Sequence, residues 1–146
     1  MIDKHRKYEI YVGNRFRKDG WRVTSGVQYA GRQIDHIAEK RTWLFGRKIR
    51  KMVEVKDMLV GVRELSIEYA KFSDLKNKLG VSGLIVVSSL GFTKDAVKFA
   101  RRYPTIELVH IEYPRRKWIW WIIMAIVVML SLILAIMYMR QMIFLT

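Results

Sequence analysis

The feature that most constrains this chain is an uncharged stretch near its C-terminal end. Residues 118–139 contain no Asp, Glu, Lys or Arg, and Ser131 is the only clearly polar side chain among them. A helix of these 22 residues would be about 33 Å long, enough to cross a hydrocarbon core of about 30 Å. A helix buried in a small domain would be amphipathic, whereas this one is apolar all round. The stretch therefore predicts a transmembrane helix.

The flanking residues predict how that helix is oriented. Arg115, Arg116 and Lys117 precede it, and Arg140 is the only charged residue after it. Because cytoplasmic flanks carry the excess of Lys and Arg, the positive-inside rule places the N-terminal part in the cytoplasm. No ionisable residue lies within the segment, which favours an anchor over a channel or transporter. We expect a single-pass protein of the cell membrane, with one folded domain at 1–113, a basic linker at 114–117, the helix at 118–139 and an external tail at 140–146.

The part of the chain before the uncharged stretch is strongly basic. Residues 1–117 contain 26 Lys and Arg against 13 Asp and Glu, in a chain of 146 residues with a net charge of +14. A charge of this size favours a polyanion as partner, either nucleic acid or the anionic cytoplasmic leaflet, and does not choose between them. The chain has no cysteine, which excludes disulfides and thiolate metal sites.

The hydrophobic periodicity predicts one α/β domain. Its elements are expected as a helix at 5–19, strands at 21–25, 33–39 and 51–56, a helix at Val62–Leu79, a strand at 84–88, a helix from Thr93 to before Pro104, and a strand at 106–111. A turn region is expected at 26–31, and Gly80 is expected to cap the long helix. The order α-β-β-β-α-β-α-β predicts a mixed sheet flanked by helices, followed by the transmembrane helix.

Two neighbouring predicted strands carry a candidate site. The run QIDHIAE at 33–39 contains Asp35, and the run KMVEVKD at 51–57 contains Glu54 and Lys56. Residues i and i+2 of a strand share a face, so Glu54 and Lys56 point the same way. Pairing of the two strands through the connection at 41–50 would bring Asp35 beside Glu54. Two carboxylates and an ammonium so arranged can hold Mg²⁺ or Mn²⁺ against a phosphodiester and activate a water.

Glu9 is a further candidate, on the first helix. Its spacing places it on the face that buries Val12 and Phe16. Because burying a carboxylate without a partner costs several kcal/mol, a cation or donor is expected nearby. We therefore expect Glu9 to orient Lys56 or to hold a water at the site.

The pattern is short, and the chain contains a partial copy of it. Asp74 and Lys76 repeat its second half on a predicted helix, where i and i+2 face apart, so this copy is expected to be a solvated charge pair. A structural ion pair on a sheet face is the alternative reading of Glu54 and Lys56. His36 lies next to Asp35 but points to the other face of its strand, and we expect it to be structural.

The connection between the second and third strands has an apolar tip with basic flanks. Trp43, Leu44 and Phe45 form the tip. Three interpretations stand equally: a wing that contacts DNA, a tip that dips into the membrane surface, and a packed hairpin.

These segments resemble the restriction-endonuclease-like PD-(D/E)xK superfamily, and most of all its Mrr-type restriction endonucleases, with the Holliday-junction resolvases as near relatives. The resemblance covers most of residues 8–111. The matching segments are Glu9, KDGWRV at 18–23, IDHIA at 34–38, VEVK at 53–56, and GFTKDA at 91–96, which is similar to the GFT-x-x-A segment of the Mrr family.

The resemblance implies metal-dependent cleavage of DNA by an endonuclease, and the uncharged stretch at 118–139 predicts separately that this enzyme is anchored to the membrane. It implies Asp35 and Glu54 as metal ligands, Lys56 as the catalytic lysine and Glu9 as the helix acid, with Mg²⁺ or Mn²⁺ as cofactor. A homodimer is one alternative for the oligomeric state, because nucleases of this fold often need a second subunit to cut both strands.

Two other functions stay open at the level of the sequence. In the first, the chain is a non-catalytic, membrane-tethered module that binds DNA or a protein on a retained nuclease fold; Asp35→Ala would then leave function intact, while removal of surface Lys and Arg would abolish it. In the second, the basic charge serves only anionic lipid, and liposome binding would then resist competition by DNA.

Overall fold

The computed structural model describes residues 3–42, 46–113 and 122–133. Its elements in chain order are α1 (Lys4–Lys18), β1 (Arg22–Tyr29), β2 (Arg32–Arg41), β3 (Lys48–Lys56), α2 (Val62–Leu79), β4 (Gly83–Ser88), α3 (Lys94–Arg101) and β5 (Ile106–His110). The predicted order of helices and strands is confirmed.

The five strands form one sheet in the order β1-β2-β3-β4-β5. The first three strands pair antiparallel as consecutive hairpins, and β3, β4 and β5 pair parallel. Parallel neighbours need a crossover, and α2 and α3 provide the two crossovers. The predicted mixed sheet flanked by helices is therefore confirmed.

Helices cover both faces of this sheet. On one face, Tyr8, Val12 and Phe16 of α1 pack with Val53 and Val55 of β3. On the other face, α2 and α3 pack with Met52 of β3 and with the buried residues of the neighbouring strands. Because side chains alternate along a strand, Glu54 projects to the same side as Met52, towards α2.

The first hairpin differs from the predicted turn at 26–31. Strand β1 continues to Tyr29, and its pairing with β2 resumes after Gly26 with Val27 opposite Ile34. Ala30 and Gly31 form the turn with φ angles of 50° and 74°, as a two-residue type I′ turn requires. The prediction was wrong because Gly26, with φ 64°, interrupts the alternation without ending the strand.

Two predicted helix ends are confirmed. Gly80 follows α2 in the left-handed conformation, with φ 60°. Thr93 precedes α3, and its hydroxyl accepts a hydrogen bond from the N–H of Ala96. These caps mark the end of α2 and the start of α3.

The chain divides into two compact units, Met1–Tyr113 and Pro114–Thr146. In the second unit, the described residues 122–133 are helical. The rest of the predicted transmembrane helix at 118–139 lies outside the described residues, as do the linker at 114–117, the tail at 140–146 and the apolar tip at 43–45. Within the described ranges, no helix is both long and apolar enough to cross a membrane.

Candidate functional site

The register between β2 and β3 places two carboxylates side by side. His36 is opposite Val53, so the next position along the same register sets Asp35 against Glu54. The N–H of Val55 donates a hydrogen bond of 2.8 Å to Oδ2 of Asp35. This bond ties the Asp35 side chain to the strand that carries Glu54.

Glu54 lies in a strongly unfavourable place for a negative charge. The residue is only 2% exposed, and its Oε1 lies 2.8 Å from Nζ of Lys71 on α2. Burial, followed by the negative charges of Asp35 and Glu68, raises the pKa of Glu54 from 4.5 to about 8, and the opposing effect of Lys71 does not offset them. A cation beside Asp35 would therefore stabilise the ionised form of Glu54.

Lys56 pairs with α2 as well. Its Nζ lies 2.6 Å from Oε1 of Glu68, and Oε2 of Glu68 lies 3.2 Å from Nζ of Lys71. Burial raises the pKa of Glu68, but the ion pairs with Lys56 and Lys71 lower it by more. The pKa of Glu68 is therefore lowered overall. We call Glu54, Lys56, Glu68 and Lys71 the charge quartet. Strand β3 and helix α2 each contribute one acidic and one basic side chain to it.

Glu9 faces a cavity and not the charge quartet. A cavity of about 540 Å³ is lined by Glu9, Asp35, His5 and neighbouring residues of α1, β1 and β2. Burial and then the charge of Asp35 raise the pKa of Glu9, and its Oε1 lies 3.3 Å from Nδ1 of His5. The expectation that Glu9 orients Lys56 was wrong, because the ion-pair partner of Lys56 is Glu68. Glu9 and Asp35 share the cavity, whereas Glu54 and Lys56 lie beneath α2.

His36 holds α1 against β2 beside this cavity. It is 3% exposed, and its Nε2 lies 2.9 Å from the backbone oxygen of Glu9. A carbonyl only accepts, so Nε2 donates and Nδ1 accepts from the Ser25 hydroxyl at 3.0 Å. Burial lowers the pKa of His36, in keeping with this neutral ring. Gly13 leaves room for the ring, since a Cβ there would lie 3.2 Å from Cε1 of His36.

The donor set beside Asp35 fits a hard divalent cation. Among the described residues, no three His, Cys, Asp or Glu side chains converge as a ready ligand group. The pair Asp35 and Glu54 offers carboxylate oxygens, and Oε1 of Glu54 is buried without a well-directed hydrogen bond. Mg²⁺ commonly binds through one or two carboxylates and completes its shell with water and substrate phosphate. Two carboxylates are therefore enough protein ligands for such a cation.

The second copy of the motif is not part of this site. Asp74 lies on α2 and is exposed, and its Oδ2 forms an ion pair of 2.9 Å with Arg32. Lys76 is exposed on the same helix. Asp74 is therefore a natural comparison residue for Asp35.

Sequence reasoning missed Glu68 and Lys71. The signal was present, because Glu68 falls between Leu65 and Phe72 on the buried stripe of α2. A carboxylate inside an apolar stripe indicates a buried charged partner. Which partner it meets depends on how α2 crosses β3, and helical spacing does not specify that crossing.

A second charged surface lies at the other end of β2. Gly20, Arg22, Glu39, Lys40, Arg41 and Lys48 line a cavity of about 270 Å³, which we call the basic pole. Nearby, Nζ of Lys40 and Nζ of Lys51 lie 5.6 Å and 5.8 Å from the ring centroid of Trp21. Six residues of strand separate Asp35 from Arg41, or about 20 Å. Glu39 pairs there with Lys48 and Arg50 at 2.8 Å each, and the basic residues of the pole outnumber this one carboxylate.

Residues 3–113 match the Mrr_cat family, described as restriction endonuclease. No curated protein matches the chain.

Several solved structures are similar to the chain. A protein of unknown function, AF1548, is 25% identical with a TM-score of 0.61, and the match covers 75% of this chain and 59% of that one. A repair endonuclease from Pyrococcus abyssi is 16% identical with a TM-score of 0.58, covering 78% and 48%. EndoMS in a complex with double-stranded DNA is 14% identical with a TM-score of 0.57, covering 77% and 45%. The chain thus spans about half to three-fifths of these proteins, and the last two likenesses show a shared fold.

In the metal-free protein, we expect Glu54 to make stability depend on pH. Between about pH 4.5 and about pH 8 the folded state keeps a proton on Glu54 that the unfolded state has released. Rising pH therefore favours unfolding across this window. As the pH rises through this window, the free energy of unfolding of the wild type should fall relative to that of Glu54→Gln. The variant has no titrating group at this position.

Urea unfolding of both proteins with a chelator present measures this difference. Glu112→Gln, at an exposed position, is the matched control and should follow the wild type. A difference between wild type and Glu54→Gln that stays constant across the window would contradict the prediction.

Proposed function

The chain belongs to the Mrr_cat family of restriction endonucleases, and on that basis we propose that it is a membrane-anchored endodeoxyribonuclease that uses a divalent metal to hydrolyse DNA phosphodiester bonds. The observation that carries the proposal is the adjacency of Asp35 and Glu54, with Asp35 held by the N–H of Val55. Lys56 follows Glu54 on the same face of β3.

Each side chain has a role in this proposal. Asp35 and Glu54 would hold Mg²⁺ or Mn²⁺, which when bound supplies Lewis acidity to a water and to the scissile phosphate. Lys56 contributes positive charge as the phosphate becomes more negative in the transition state. Glu9 shares the cavity with Asp35 and orients water there. His36 acts only through Glu9 and the position of α1.

Cleavage of DNA by the full chain tests this proposal. With Mg²⁺ or Mn²⁺ present, the purified protein should cut DNA, and Asp35→Asn and Lys56→Met should each reduce the rate at least about a hundredfold. Glu54→Gln should have the same effect, because it removes a charged ligand but keeps the side-chain volume. Linear, branched and methylated duplexes serve as substrates.

The partial copy of the motif provides the control. Asp74→Asn removes a carboxylate from the exposed face of α2 and should leave the rate unchanged. If a folded wild-type protein binds DNA but cuts none of the three substrates, the tethered binding module becomes the better description. Equal rates for Asp35→Asn and Asp74→Asn would remove Asp35 from the site.

The basic pole supports DNA as the partner. Arg22 and Arg41 are exposed, and the pole is about 20 Å from Asp35 along β2. Phosphates of a strand whose scissile bond lies at Asp35 extend over such a distance. We infer that the pole contacts phosphates outside the cleavage point and contributes affinity without sequence preference.

Removing charge from the pole should weaken DNA binding and its dependence on salt. In an Asp35→Asn background, which prevents cutting, Arg22→Gln with Arg41→Gln should lower the slope of log affinity against log salt by about two. Fluorescence anisotropy at several salt concentrations measures the slope. Lys94→Gln and Lys98→Gln on α3 remove the same charge elsewhere, and an equal loss in both pairs would argue against a specific role for the pole.

The membrane anchor is the remaining part of the proposal. It is supported by the 22 uncharged residues at 118–139 and by the basic residues that precede them. A homodimer stays a prediction, based on the need to cut two strands.

The full chain should stay in the membrane fraction after extraction with alkaline carbonate, whereas a chain ending at residue 113 should not. The reason is that about 22 apolar residues partition into the bilayer independently of surface charge. In spheroplasts, external protease should leave the N-terminal domain intact. Release of the full chain by alkaline carbonate would contradict the prediction of a membrane anchor.

A further inference from the structure

Lys71 connects α2 to both strands of the candidate site. Its Nζ lies 2.8 Å from Oε1 of Glu54 and 3.2 Å from Oε2 of Glu68, and it donates a hydrogen bond of 3.0 Å to the backbone oxygen of Gln33. The side chain is only 17% exposed. Lys71 is thus a partly buried ammonium in contact with a proposed metal ligand.

The charges around Glu54 are nearly balanced without a metal. When Glu54 is ionised, Asp35, Glu54 and Glu68 bring three negative charges, while Lys56 and Lys71 bring two positive ones. A divalent cation between Asp35 and Glu54 would place two further positive charges within a few ångströms of Nζ of Lys71. In a site with little water, such a repulsion is large. The cation and Lys71 therefore compete for the same carboxylate.

The geometry provides a place for the displaced ammonium. Oε2 of Glu68 already lies 3.2 Å from Nζ of Lys71, and it has no well-directed hydrogen bond. Glu68 and Lys71 are three residues apart on α2, so a change of side-chain torsion is enough to move Lys71 fully onto Glu68.

We propose that Lys71 is an internal counter-ion of Glu54 which a hard divalent cation displaces, and that Glu68 receives the displaced ammonium. This inference rests on the proposed function, because it takes Asp35 and Glu54 as the cation site. Neither Lys71 nor Glu68 needs to touch DNA. Both are positioning residues that determine how much free metal the site requires.

Substitutions of the two residues should act in opposite directions on metal affinity. Lys71→Met removes the competitor and should lower the Mg²⁺ dissociation constant about tenfold. Glu68→Gln removes the acceptor of the displaced ammonium, so Lys71 stays on Glu54 and the constant should rise about tenfold. General damage to the fold would raise it in both variants. Lys71→Arg keeps the charge and should remain close to the wild type.

The measurement is the Mg²⁺ dependence of the unfolding free energy of the full chain in detergent, without DNA. Buffer more alkaline than about pH 8, the pKa of Glu54, keeps this carboxylate ionised. Lys78→Met, at an exposed position of the same helix, is the matched control and should not change the constant. Circular dichroism verifies that each variant is folded.

The outcomes separate this inference from the proposed function. If Asp35→Asn abolishes the Mg²⁺ response and the two variants shift it in opposite directions, the inference is supported. If Asp35→Asn abolishes the Mg²⁺ response but Lys71→Met leaves the Mg²⁺ dissociation constant unchanged or raises it, Lys71 does not compete with the cation. If Lys71→Met does not fold, an unchanged constant in Glu68→Gln overturns the inference. A wild type that gives no response to Mg²⁺, or one that Asp35→Asn leaves intact, overturns the metal site and the inference with it.

Discussion

The antiparallel pairing of β2 with β3 is the constraint on which the candidate site depends. His36 lies opposite Val53, and a slip of β2 by one residue would turn its side chains to the opposite face and separate Asp35 from Glu54. Such a slip would be costly, because Ile37 and Ala38 of β2 are buried in the two cores on opposite faces of the sheet and would each turn to the wrong face. The packing of the core thus maintains the geometry of the site.

Helix α2 makes the burial of this site possible. An isolated carboxylate at the position of Glu54 would be strongly destabilising, because the low-dielectric interior disfavours charge. Lys71 of α2 reaches Glu54 and compensates part of that cost, while Glu68 of the same helix pairs with Lys56. The helix therefore serves as a crossover between β3 and β4, as a cover for the core and as a source of counter-charge.

The opposite ends of the domain differ in charge for reasons that begin in the strand sequences. Asp35 and Glu54 lie near the start of β2 and the end of β3, whereas Lys40, Arg41 and Lys48 lie at the opposite ends of the same strands. Antiparallel pairing brings these three basic residues together at one end, where Glu39 pairs with Lys48 and Arg50. In the proposed function, DNA phosphates contact the basic pole and the cation binds the carboxylates, so the two do not compete at one place.

Much of the architecture was predictable from the pattern of residues. Period-two and period-3.6 hydrophobicity indicated every helix and strand, and Gly80 and Thr93 marked helix ends. The first hairpin was misjudged, because a glycine within a strand resembles one in a turn when only the sequence is considered. The partner of Lys56 was also misjudged, since Glu9 and Glu68 are both acids on apolar helix faces and spacing does not say which face meets β3.

The sequence by itself determined the order of elements, the neighbouring strands that carry Asp35, Glu54 and Lys56, the excess of positive charge and the uncharged stretch at 118–139. These follow from local periodicity and composition, which neighbours along the chain establish. Only the tertiary structure decided that Lys71 and Glu68 enclose the site, that Glu9 shares a cavity with Asp35, and that His36 joins α1 to β2. Those contacts join residues 12 to 27 positions apart, and their existence depends on how helices cross the sheet.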